Sequence, residues 1–216
     1  DVTFYNLKKS NLLPLIPAFV KEELENSYYC VLSQNTIIFR EFTKILKALN
    51  ELGIKPIVLK GAALINTVYN GNGALRPMVD IDILIAPEQL ETTKQCLEEL
   101  GYKINMQDFG SIIYELNRDN NFSLITKSYI EIHWHVLHKK FYRVLNIDER
   151  MFFKRAINFK IEGIDCLGLS AEDNILYLSL HLVILHFFSN ILWLYDIKRI
   201  IEVYKDNISW EGLLNT

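Results

Sequence analysis

One stretch in the first half of the chain constrains the fold more than any other. Residues Pro56–Ala86 read PIVLKGAALINTVYNGNGALRPMVDIDILIA. A short apolar run, Pro56 to Leu59, ends in Lys60-Gly61. A second, Val79 to Ile85, carries Asp80 and Asp82 two positions apart. Strand side chains alternate between faces, so the two carboxylates project from one side while Ile81 and Ile83 pack on the other. Like charges this close repel unless a cation lies between them, and oxygen ligands of this kind suit a hard ion such as Mg²⁺ or Mn²⁺.

The rest of the chain has room to surround such a site. Its 216 residues are 50% hydrophobic and 23% charged, enough for a sizeable core. A net charge of -3 and a pI near 6.0 argue against a general nucleic-acid-binding surface. Cys30, Cys96 and Cys166 are odd in number and far apart, which indicates neither a disulfide framework nor a zinc knuckle; a cytoplasmic location is expected. No signal-peptide pattern is visible, and the sequence starts at Asp1 rather than at methionine. The most apolar stretch, Ile175 to Phe188, falls short of the ~20 residues that span a bilayer, and it reads as a core helix holding His181 and His186.

In chain order, Pro14 and Pro17 precede a helix to about Leu52, with Ile38, Phe42, Ile45, Leu49 and Leu52 on one apolar face. Gly53 stops it. A strand over Pro56–Leu59 leads through Gly61, read as the tight turn, into a helix over Ala62–Tyr69. Asn70-Gly71-Asn72-Gly73 is turn chemistry that delivers Arg76 and the strand Val79–Ile85. A helix from Glu88 to Leu100 follows Pro87. Short strands then occupy Tyr102–Asn105, Ile112–Leu116, Phe122–Ile125 and Tyr129–Val136. In the last, Ile130, Ile132, Trp134 and Val136 face one way and Glu131, His133 and His135 the other. Residues 140–169 carry little pattern. Ser170 is the expected N-cap, with Asp173 in capping-box position, of a helix reaching about Phe188, and another helix runs over Ile191–Tyr204.

Asp80, Asp82 and Glu131 form the candidate catalytic and metal-holding group. Acids on two neighbouring strands can hold one or two Mg²⁺ ions against phosphate oxygens. Gly61, at a helix N-terminus, offers backbone N–H groups to a phosphate. Lys60 and Arg76 are the cations near enough to meet its charge.

The combination K-G-A-A-L, V-D-I-D-I-L-I and Y-I-E-I-H-W-H-V resembles nucleotidyltransferases of the DNA polymerase β type. More narrowly, it is similar to the uncharacterised nucleotidyltransferase family. The likeness extends to L-S-A-E-D-N-I-L-Y-L-S-L-H and to the W-x-x-D pattern of Trp193 and Asp196. It implies Mg²⁺-dependent transfer of a nucleoside monophosphate from a nucleoside triphosphate to a small-molecule or protein acceptor. Asp80 and Asp82 match the metal pair, Glu131 the third carboxylate and Gly61 the phosphate turn. The wider superfamily carries Ser or Gly after that glycine. Ala62 stands there here, and Lys60 or Arg76 is expected to compensate.

The expected fold is α+β: a small mixed sheet with flanking helices, and helical segments at both ends. Its expected divisions are an N-terminal helical segment (1–53), an α/β nucleotidyltransferase core (54–140) and a C-terminal helical portion (141–216). His133 and Asp196 are expected to line the cleft. Two alternatives stand beside transfer. One is a non-catalytic nucleotide-binding or regulatory module, as in a toxin–antitoxin pair. The other is a zinc hydrolase built on His133, His135 and His138.

Overall fold

The computed structural model describes residues 2–108, 110–116, 128–136, 147–185 and 191–214. Helix α1 (Val2–Lys9) precedes the long helix α2 (Ala18–Glu51), which Pro17 caps. Ile38, Phe42, Ile45 and Leu49 of α2 are buried as their spacing predicts. Leu52 is not: the helix ends one residue earlier, Gly53 turns with φ +74°, and Leu52 is left 53% exposed.

Among the described residues, seven strands form one mixed sheet: β1 (Ile57–Val58), β2 (Asp80–Leu84), β3 (Tyr102–Asp108), β4 (Ser111–Leu116), β5 (Ser128–His133), β6 (Ile157–Ile161) and β7 (Ile164–Gly168). Their order is β3-β4-β5-β2-β1-β7-β6. Helix α3 (Lys60–Thr67) follows β1, and α4 (Leu90–Glu99) follows β2. Later come α5 (Arg150–Arg155), α6 (Ala171–Leu180), α7 (Ile191–Tyr204) and α8 (Trp210–Leu214). The α+β expectation is met, with a sheet wider than the small one foreseen. Among the described residues, no helix is long and apolar enough to cross a membrane.

The alternation within β2 and β5 places Ile81, Ile83, Ile130 and Ile132 in the core under α2 and α4. Alternation ends where the strand does. At Trp134 and His135 both backbone N–H groups donate to the Gly110 carbonyl, and Val136 joins a different apolar cluster with Ile57, Leu84, Phe152 and Tyr177. His135 therefore leaves the face of Glu131 and His133.

The segment 140–169 departs most from its reading. From Arg150 onward it holds α5 and the hairpin β6–β7, which joins the sheet through β1. The hairpin obeys ordinary rules. Ile157, Phe159 and Ile161 alternate with polar residues, and Glu162-Gly163 turn with φ +49° and +81°, as a two-residue connection requires. The expected strand Phe122–Ile125 lies outside the described residues.

At the helical end, Ser170 caps α6, its hydroxyl accepting from the Asp173 N–H at 3.1 Å. The box is not closed reciprocally. The Asp173 carboxylate turns instead to Arg155, which donates to both its oxygens at 2.7 and 3.0 Å. Helix α6 passes at His181 into a π-helical turn to Leu185.

Candidate active site

The site is built where β2 and β5 run parallel. Their register sets Asp82 directly opposite Glu131, so the two carboxylates share a face as cross-strand neighbours. His133, two residues beyond Glu131, lies on that face too. Its Nε2 is 3.1 Å from Asp82 Oδ1 and 3.6 Å from Glu131 Oε2. One ligand atom from each of Asp82, Glu131 and His133 lies within 4.8 Å of the others. Asp80 is not in this group; it opposes Tyr129 and lines the same cleft from the rim.

Lys60 closes the arrangement from the other side. The Leu59 N–H donates to the Asp82 carbonyl at 2.9 Å, which fixes the β1–α3 junction against β2. Lys60 then takes a left-handed backbone, φ +48°, unusual for a side chain longer than Asn. That turn aims its ammonium at Asp82, with Nζ 2.6 Å from Oδ1. The turn residue is thus Lys60 rather than Gly61. Gly61 is needed for space: a Cβ there would lie 2.7 Å from Met78 Cγ and 2.9 Å from its sulfur.

Burial alone would raise the Asp82 carboxyl. The Lys60 charge and the His133 hydrogen bond reverse this and hold it well below the usual carboxylate range. Burial opposes the Lys60 charge as well, and the Asp82 charge beside it prevails, so Lys60 stays protonated above the ordinary lysine range. Asp80 has no ion-pair partner among the described residues, and the more distant Lys60 and Arg76 charges only partly offset its burial. Burial, then the Asp82 charge, push it up to about 6.

The cleft holds about 370 Å³ and is lined by Lys60, Asp80, Asp82 and Glu131 on the sheet side and Leu192 and Trp193 on the helical side. Arg76 lines it too, with its Nε and Nη1 already engaged. Nε donates to both Asp196 oxygens at 2.9 and 3.2 Å, and Nη1 to the Pro77 carbonyl at 2.6 Å. Asp196 departs from the expected cleft-lining place. It is fully buried and also accepts from the Tyr69 hydroxyl at 2.7 Å. His133 and His135 do not gather either: His135 Nδ1 lies 3.1 Å from Glu149. His138 lies outside the described residues.

Three contributors escaped sequence reasoning. Tyr177 of α6 is buried beside Lys60, and its hydroxyl has no hydrogen-bond partner among the described residues. At its position in an apolar helix, nothing separates it from an ordinary core aromatic. Leu192 offered no signal, and Trp193, read as core, is 8% exposed yet faces the cleft.

The family model described as uncharacterised nucleotidyltransferase matches residues 2–216. The chain belongs to that family. Solved structures agree on the fold of this nucleotidyltransferase at low identity. The antibiotic-resistance factor ANT(2'')-Ia, studied in solution, superposes with a TM-score of 0.55 at 13% identity, over 84% of this chain and 88% of that one. The lincosamide antibiotic adenylyltransferase LnuA, bound to lincomycin, gives 0.51 at 17%, over 76% and 96%. An antigenic nucleotidyltransferase-like protein from Paracoccidioides brasiliensis gives 0.52 at 17%, over 82% and 79%. No curated protein matches the chain in sequence.

Proposed function

We propose that this protein transfers a nucleoside monophosphate from a nucleoside triphosphate to a hydroxyl of a small molecule or a protein side chain, with a divalent cation. The observation that carries the reading is the convergence of Asp82, Glu131 and His133 within 4.8 Å, with Asp82 and Glu131 lining a cleft beside a helix N-terminus; His133, expected at the cleft wall, stands behind them. The donor set fits Mg²⁺ or Mn²⁺: two carboxylates, one of them held ionised by its neighbours, and an imidazole whose Nε2 serves Asp82 or an ion but not both. When bound, such an ion polarises phosphoryl oxygens and offsets their charge.

The chain's own groups supply the rest. Gly61 lets the triphosphate approach the start of α3, and the N–H groups there favour an anion. Glu131 is more open than Asp82, its side chain 20% exposed against 4%, and takes the proton of the acceptor hydroxyl. The acceptor oxygen forms its bond to the α-phosphorus, and pyrophosphate leaves with the electrons of the bond that breaks. Leu192 and Trp193 border the acceptor side. ANT(2'')-Ia in complex with adenylyl-2''-tobramycin and lincomycin-bound LnuA supply the acceptor class to try first, small-molecule antibiotics.

The test is incubation with α-labelled triphosphates, Mg²⁺ or Mn²⁺ and a panel of such acceptors, following pyrophosphate and label. Pyrophosphate release that depends on acceptor and on Asp82 is expected. Tight triphosphate binding without release from any acceptor, or onto the protein itself, would overturn transfer and favour the non-catalytic module.

A further inference from the structure

The cation expected to serve the triphosphate is bound elsewhere in this structure. Lys60 Nζ and His133 Nε2 both contact one oxygen, Asp82 Oδ1, at 2.6 and 3.1 Å. A divalent cation bound at Asp82 would stand close to that ammonium, and like charges so near each other repel. We propose that Lys60 is the site's resident counter-ion: it occupies the Asp82 oxygen until a divalent cation takes its place, and the displaced ammonium then meets the triphosphate. The proposal rests on reading Asp82, Glu131 and His133 as the metal-holding group.

Two further observations support it. The pair is deep, with side chains 16% and 4% exposed, so an unpaired Asp82 would be costly and the lysine offsets that cost. The left-handed backbone at Lys60 commits the chain locally to aiming this side chain into the cleft. The ammonium keeps its proton throughout, and Asp82 exchanges one cationic partner for another. Metal and triphosphate are thereby coupled: each makes the release of Lys60 from Asp82 less costly for the other.

The experiment is Mn²⁺ titration of the full chain without nucleotide, by calorimetry, on the wild type, Lys60→Met and Asp82→Asn. Lys60→Met is expected to bind Mn²⁺ at least ten-fold more tightly than wild type, and Asp82→Asn to lose binding. A non-hydrolysable triphosphate should tighten Mn²⁺ binding to wild type more than to Lys60→Met. Mn²⁺ binding that needs Asp82 but is no tighter in Lys60→Met would overturn the exchange alone. Absence of binding in all three would overturn both the exchange and the metal reading. A measurement on the wild type covers misfolding of the variant. Acetylation of Lys60 by an amine-reactive ester, read by mass spectrometry, should quicken several-fold when Mn²⁺ is added. An unchanged rate would overturn the exchange.

Discussion

Arg76 and Asp196 stand 120 positions apart and meet in the interior, Nε donating to both carboxylate oxygens at 2.9 and 3.2 Å, with side chains only 7% and 0% exposed. The pair ties the segment before β2 to helix α7, and Tyr69 completes it from the end of α3. Removing one partner of a buried pair leaves the other charge uncompensated, a cost of about 3–5 kcal/mol. Asp196→Leu and Arg76→Met are each expected to lose stability of that order in chemical denaturation, and the double variant less than the sum. Additive losses would contradict a direct pair.

A second expectation concerns space at Gly61. A methyl there would press on Met78 and come within 3.3 Å of Arg76 Nη1. Overpacking of this kind costs about 1–3 kcal/mol. Gly61→Ala should therefore weaken both stability and triphosphate binding, measured by denaturation and by nucleotide titration. Met78→Ala should recover much of the loss. A Gly61→Ala variant indistinguishable from wild type would show that Met78 yields freely.

The sequence made some of this legible and hid the rest for identifiable reasons. The D-x-D spacing on an apolar strand and the alternation around Glu131 depend only on strand geometry, so β2, β5 and the shared face of Asp82 and Glu131 were readable. Pairing between strands far apart in sequence was not. Nothing local says that the ammonium of Lys60 ends on Asp82, or that Arg76 pairs with Asp196. The hairpin β6–β7 is a different case. Its I-N-F-K-I alternation and Glu-Gly turn were present, and were obscured by the absence of pattern around them.

Asp80 leads to an expectation for the metal-free protein. Its carboxyl sits at about 6 when folded, raised by burial and by Asp82 from an ordinary value of 3.8. Between those values the folded chain binds more protons than the unfolded one, so stability falls as pH rises from about 4 to 6 and levels off above. Asp82 has the opposite sign, and its contribution is lost only below 3.8, outside this window. Asp80→Asn should abolish the fall and be more stable than wild type at pH 7 by about 1–3 kcal/mol. Denaturant midpoints across pH 4–8, with chelator present, check this; a slope unchanged in the variant would assign the effect elsewhere.

Glu131 separates chemistry from folding. Its side chain is 20% exposed, far more open than that of Asp82, so Glu131→Gln should leave the melting temperature nearly unchanged. Loss of a positioned proton acceptor costs about 10²–10⁴-fold in rate. Single-turnover transfer at saturating triphosphate is the measurement. A rate within a few-fold of wild type would remove Glu131 from the chemistry.

Strand β1 has only two residues, yet it sits between β2 and β7, and Ile57 and Val58 pair on their second side with Leu167 and Gly168. A nascent chain therefore exposes an unfilled hydrogen-bonding edge at its centre until its last third has left the ribosome. Chains cut before Gly168 should need chaperone cover to stay in solution, with the metal-holding strands already made but still unroofed.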